Sequence, residues 1–163
     1  MIQYVEGDLF QFVASCPNKV LIPHVCNDVG AWGAGFVIPL GRTYPLAREE
    51  YLQMSTVDGY QLGHTGFVKV APNVTVANMI AQGMGGQRPL RYNALSKCLD
   101  TVGDYADQYD MGIVAPMFGS GLAGGNWLFI EEMINDAWID RGIKVTVCYL
   151  LSNMPSNWKP PRV

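Results

Sequence analysis

The sequence predicts an α/β fold, a mixed and largely parallel central sheet with helices packed on both faces. Three observations predict it. Apolar, β-branched runs alternate along the chain with stretches of helical spacing. Several of those runs, Lys19–Val25 above all, lack the period-two polarity of a strand with one wet face, so both their faces are expected to be covered. Of 163 residues, 49% are apolar and only 15% charged, enough for one domain with a real core. A single domain over 1–163 is expected, with 151–163 as a proline-rich tail on the surface or capping an edge.

The elements follow in order. Ile2–Val5 reads as a short strand that ends at Gly7-Asp8, and Leu9–Ala14 as a short helix. The strand Lys19–Val25 runs into a loop at Asn27–Gly35. Gly35–Leu40 and Pro45–Met54 read as helices, the second with proline in its first turn, where no N–H is needed. Gly66–Val70 and Thr75–Ile80 form two strands about a turn at Pro72-Asn73. Leu90–Tyr109 has helical spacing, Gly112–Ala115 is a strand, and Pro116–Gly125 is a loop. Trp127–Arg141 is a helix stopped by Gly142, and Ile143–Leu150 is the last strand.

Composition excludes several classes. No apolar run reaches the ~20 residues of a membrane helix, and the N-terminus lacks the pattern of a secretory signal. The net charge of −3 comes with no basic stripe for a nucleic-acid backbone. Cys16, Cys26, Cys98 and Cys148 form no CxxC pair and match no zinc spacing, so free thiols in a reducing cytoplasm are expected. His24, Asp28 and His64 form no spaced metal cluster, and no cofactor is expected.

Two glycine-rich loops carry the chemistry. The first, His24 to Gly35, leads into a helix whose free N–H groups form an anion site without a cation. The second holds Gly119, Gly121, Gly124 and Gly125, with Ser120–Ala123 as a nest of N–H groups and Asn126 as a helix cap. In open α/β sheets, ligands sit beyond the C-terminal strand ends, and both loops follow predicted strands. Two anion loops on one edge suit a diphosphate. A dinucleotide fold would need GxGxxG after the first strand, which leads to GDLF instead, and no GKS or GKT marks a Walker loop.

Together these residues resemble the macro domain family, over about 2–150. Gly7-Asp8-Leu9 is similar to the family's GDI/GDL turn, which implies that Asp8, beside Leu9, accepts from an adenine amino group. The stretch from His24 through Trp32-Gly33-Ala34-Gly35 to Phe36 resembles the first phosphate and distal-ribose loop. Gly119-Ser120-Gly121-Leu122-Ala123-Gly124 resembles the second phosphate loop, and Val76–Gln82 the central strand. The resemblance implies a three-layer α/β/α fold that binds ADP-ribose.

His-x-x-Asn followed by Trp-Gly-x-Gly is similar to the branch with the yeast ADP-ribose 1″-phosphate phosphatase and the terminal ADP-ribose protein glycohydrolase. By that resemblance His24 and Asn27 face the distal ribose as catalytic residues and Trp32 borders it. The glycohydrolase uses a lysine and an aspartate where this chain has Gln82 and Ala123, which argues against a lysyl adduct. A phosphatase acting on ADP-ribose 1″-phosphate is the leading expectation. The alternatives are a module that binds ADP-ribose or ADP-ribosylated macromolecules without turnover, and a hydrolase that removes ADP-ribose by water attack. His24 is the expected base or acid, and Asp28 a second proton carrier more often found as a turn former. Alternative readings are a bonded core histidine for His24, a cap for Asp8 or Asn27, and core packing for Trp32. His64 reads as a surface turn residue, and Arg88, Arg91, Lys159 and Arg162 as solvated charges.

Overall fold

The computed structural model describes residues 1–57, 59–84 and 87–161. Arg162 lies outside them. Along the chain run β1 (Gln3–Glu6), α1 (Leu9–Ala14), β2 (Val20–Asn27), α2 (Val37–Thr43), α3 (Pro45–Val57), β3 (Thr65–Ala71) and β4 (Val74–Gln82). They continue with α4 (Tyr92–Tyr109), β5 (Gly112–Ala115), α5 (Trp127–Ala137) and β6 (Val145–Tyr149).

The strands form one sheet in the order β1-β6-β5-β2-β4-β3. Every neighbouring pair is parallel except β3 with β4. This is the mixed, largely parallel sheet that the unpatterned strands predict.

Strand side chains alternate between faces, so each strand feeds two cores. Leu21, Met79, Ile113 and Val147 join Leu95 and Leu99 of α4 and Ile130 and Ile134 of α5 on one face. Val20, Ile22, Val76 and Val114 join Leu9 and Val13 of α1, Leu40 of α2 and Ala47 of α3 on the other. Three layers result because neither face is left to water. Among the described residues no helix is long and apolar enough to cross a membrane. The four cysteines are free, with Cys16 half-buried and the others buried.

Several boundaries move from their expected positions, each for a local reason. β2 runs on to Asn27 because Cys26 and Asn27 still pair with Ile80 and Gln82 of β4 across a register shift. α2 starts at Val37, after Gly35, whose φ of +81° no helix accommodates. Leu90 is not helical. It bridges Gln82, and its N–H donates to Ala123 O at 3.1 Å, so α4 begins at Tyr92. The α-helix from Trp127 ends at Ala137 and tightens into a 3₁₀ turn over Ile139–Arg141 before Gly142. Trp138, fully buried with its indole N–H on Leu99 O at 2.8 Å, holds that turn against α4.

The tail packs against the sheet through a core residue. Trp158 is buried, with its ring centroid 4.8 Å from Tyr4 on β1 and 5.3 Å from Tyr149 on β6. The Tyr4 hydroxyl donates to Glu131 and accepts from Trp127 Nε1 at 2.9 Å.

Truncating the α4–α5 anchor tests this packing. Trp138→Ala leaves a large cavity and removes the indole bond to Leu99 O, and should cost about 3–5 kcal/mol. Urea unfolding measures it, and a loss below about 1 kcal/mol would contradict the packing described.

Candidate functional site

Five parallel strands end at one edge of the sheet. β2 and β5 are direct neighbours, so the loops that follow them leave the sheet side by side. The first covers 28–36 and the second 116–126. Their tips touch: a methyl group on Gly35 would stand 3.3 Å from Leu122 Cδ1.

The second loop is folded by its own backbone. Gly125 N–H donates to Gly119 O at 2.7 Å and Gly124 N–H to Gly121 O at 3.0 Å. Only glycine fits at 125, where a Cβ would lie 2.4 Å from Gly119 O and 2.4 Å from Leu90 Cδ2. Ser120 spends its hydroxyl on Met117 O at 2.7 Å. Asn126 caps α5 as expected, accepting from the N–H groups of Leu128 and Phe129.

What this leaves free is the point of the loop. The N–H groups of Ser120, Gly121, Leu122 and Ala123 donate to no acceptor among the described residues. The same holds for Gly33, Ala34, Gly35 and Phe36 in the first loop. A Cβ at Gly33 or Gly121 would meet nothing within 4 Å, so open space lies beside both runs. Two sets of unpaired donors on touching loops are an arrangement that can hold an anion.

Asn27 is spent on the loop it opens. Its Oδ1 accepts from the N–H groups of Val29 and Ala31, both at 3.0 Å, and from the Tyr51 hydroxyl at 2.8 Å. Its Nδ2 donates to Ala31 O at 2.8 Å. Asp28 donates its N–H to Gln82 O at 3.0 Å, while its buried Oδ1 has no partner among the described residues.

His24 sits three residues inside β2, not at its end, and faces the α2–α3 layer. Nε2 lies 2.5 Å from Asn78 Oδ1 on the neighbouring strand. Asn78 Nδ2 donates to Ala47 O of α3 at 3.1 Å, so Oδ1 is its acceptor and Nε2 carries the histidine proton. Trp32 and Phe36 close over the ring, with centroids 5.5 and 5.9 Å away. Burial holds the imidazole down at about 4, against the weaker opposing effect of Asn78. Near neutrality His24 is therefore an uncharged, hydrogen-bonded imidazole with Nε2 committed to Asn78.

Trp32 lies half-buried over His24 and Tyr51. Its Nε1 is buried, has no partner among the described residues and points at Gly41, where a Cβ would stand 2.7 Å away. Asp8 caps α1, accepting weakly from Phe10 N–H at 3.4 Å, and Leu9 behind it is core. Gln82 and Ala123 both adjoin Leu90, which bridges the first and donates to the second. Arg91 is exposed, with its guanidinium on Arg88 O at 2.9 Å, and His64 and Lys159 are exposed too.

The sequence reading passed over Tyr51 and gave no role to Asn78. Asn78 did carry a signal, as the one amide inside the apolar run VTVANMI, where it must find a partner. Tyr51 carried none.

No protein-family model matches the chain. A macrodomain protein of Streptomyces coelicolor is 39% identical, covers 91% of this chain and 99% of its own, and superposes with a TM-score of 0.79. This chain belongs to the macrodomain family. A second structure, a protein of unknown function from Bacteroides thetaiotaomicron, is 35% identical to this macrodomain. It covers 93% of this chain and 98% of its own, with a TM-score of 0.85. Among characterised relatives, the ADP-ribose 1″-phosphate phosphatase of Candida albicans is 26% identical over 147 residues. That match covers 83% of this macrodomain and 93% of the phosphatase.

The buried histidine makes a pH prediction. An unfolded imidazole takes a proton below about 6.5, whereas His24 in the fold stays neutral down to about 4. Stability is thus intact above pH 6.5 and falls as the pH drops from 6.5 to 4, by about 3 kcal/mol from this group. Urea unfolding at pH 7 and 4.5 should show a shallower loss in His24→Gln than in wild type. Equal losses would contradict the burial argument.

Proposed function

We propose that this macrodomain binds ADP-ribose 1″-phosphate along the C-terminal edge of its sheet and releases the 1″-phosphate as inorganic phosphate. The observation that carries this reading is the pair of free N–H runs, Gly33–Phe36 and Ser120–Ala123, on touching loops. Two such runs suit the two phosphates of a diphosphate, and fixed donors stabilise charge that develops on phosphate oxygens.

The order of features along the edge supports the same ligand. β1 presents Asp8 at one end, β5 the second loop, and β2 the first loop with Trp32. Three strand spacings, about 14 Å, separate the ends. An adenine amine would meet the Asp8 carboxylate, and the distal ribose would border Trp32. The Candida relative's activity and its match to most of this chain support phosphate release. Gln82 and Ala123 offer neither a nucleophilic amine nor an acid, so attack by water on phosphorus is the chemistry this edge suits. On this reading residues 1–163 act as one domain, and ADP-ribosylated macromolecules are further ligands of the cradle. The four free thiols support a reducing, cytoplasmic setting.

One observation favours a second reading, binding without turnover. His24 is held neutral and bonded to Asn78, and Asn27 is consumed by its own loop, which leaves Asp28 as the acidic group at the ribose end.

Phosphate release from ADP-ribose 1″-phosphate separates the two. Wild type should release phosphate, and His24→Ala and Asp28→Asn tell which group the reaction needs. Binding of ADP-ribose by calorimetry with no release above blank would sink the phosphatase and leave the binding module. Release of ADP-ribose from modified protein or DNA without phosphatase activity would favour a hydrolase instead. Gly121→Glu tests the cradle itself. Its side chain enters open space, so the fold should stand while ADP-ribose affinity is lost. Unchanged affinity would contradict this assignment of the second loop.

A further inference from the structure

We propose that the hydroxyl of Tyr51 is a positioning group that sets the shape of the first phosphate loop, so that ligand affinity depends on a residue that never touches ligand. This rests on the ADP-ribose reading above for its functional consequence, though not for its structural part.

Tyr51 rises from α3 beneath the loop and is fully buried. Its ring is wedged between Trp32 at 5.3 Å and Tyr60 at 4.8 Å, and packs with Cys26 and Ile80. The hydroxyl makes three contacts. Its single proton is shared between Asn27 O and Asn27 Oδ1, both at 2.8 Å, and its oxygen accepts from Gly30 N–H at 3.1 Å. Asn27 Oδ1 in turn holds the N–H groups of Val29 and Ala31. One phenol therefore ties the last residue of β2 to the turn at Gly30, immediately before the free N–H groups of Gly33–Phe36.

Asn27 and Tyr51 are the loop's side-chain posts, and among the described residues its other backbone hydrogen bond to the sheet is Asp28 N–H on Gln82 O. Gly30 stands at φ +78° beside the Tyr60 ring, where a Cβ would lie 3.1 Å from Cε2. Losing the Tyr51 hydroxyl frees the Gly30 N–H and removes one of the three bonds to Asn27 Oδ1. Removing the hydroxyl alone leaves the ring packing, and hence the fold, in place.

Tyr51→Phe is the test, with Tyr60→Phe as control, because the Tyr60 hydroxyl donates to Leu52 O at 3.4 Å and to no other acceptor among the described residues. Two measurements are made on the full chain. Without ligand, amide hydrogen exchange at Val29, Gly30 and Ala31 should speed up by about tenfold or more in Tyr51→Phe, while amides of β2 and β4 keep wild-type protection. With ADP-ribose, calorimetry should show affinity down about tenfold in Tyr51→Phe and unchanged in Tyr60→Phe. Unchanged loop exchange overturns the proposal whatever the ligand does. Faster exchange with wild-type affinity overturns it as well, since the loop would then be held but not set. Loss of protection throughout β2 and β4 also overturns it, because the hydroxyl would be holding the fold. A wild-type protein that binds no ADP-ribose would instead refute the functional reading, and the ligand-free exchange would still judge the post.

Discussion

The position of β2 between β4 and β5 is the constraint on which the rest of this structure depends. Parallel pairing satisfies both edges of β2 while helices cover both its faces, and it sends the C-terminal end of β2 to the same edge as that of β5. The two glycine loops become neighbours for that reason alone. Had the β2–β5 pairing been antiparallel, one loop would leave from the opposite edge, and no pair of touching donor runs could form. A strand so placed is largely apolar, which is why Val20–Ile22 reads as it does.

The same burial explains the cost and the fate of His24. A histidine in a central strand cannot be hydrated, so it is kept neutral and given Asn78 as a partner. Asn78 is then satisfied by a carbonyl at the start of α3. That chain of bonds registers β2, β4 and α3 against one another. Tyr51 uses the same helix to register the loop above. The polar groups under the candidate site thus serve geometry, and in the proposed function its binding power comes from backbone N–H groups that glycine leaves uncovered.

Much of this was legible in the chain. Unpatterned apolar runs gave the buried parallel strands, and Asn126, Pro45 and Gly142 marked helix ends where the structure has them. The glycine clusters marked both loops and the edge they share. Boundaries were less legible where a tertiary contact set them. Leu90 has helical spacing to α4, yet it is drawn into a bridge with Gln82. Ile139–Arg141 continues a helical pattern, yet Trp138 packed against α4 tightens it to a 3₁₀ turn.

By itself, the sequence determined which segments could be strands, which loops could bare their N–H groups, and that no lysine–aspartate pair stands at Gln82 and Ala123. Those are local properties, set by side-chain size, branching and the freedom of glycine. Only the tertiary structure decided what the polar side chains do. Whether Asn27 turns to a ligand or to its own loop, and whether His24 holds a proton, depends on partners far away in sequence, Tyr51, Asn78 and Ala47. Spacing along a chain carries no record of those partners, because burial and hydrogen bonding arise only when the sheet brings them together.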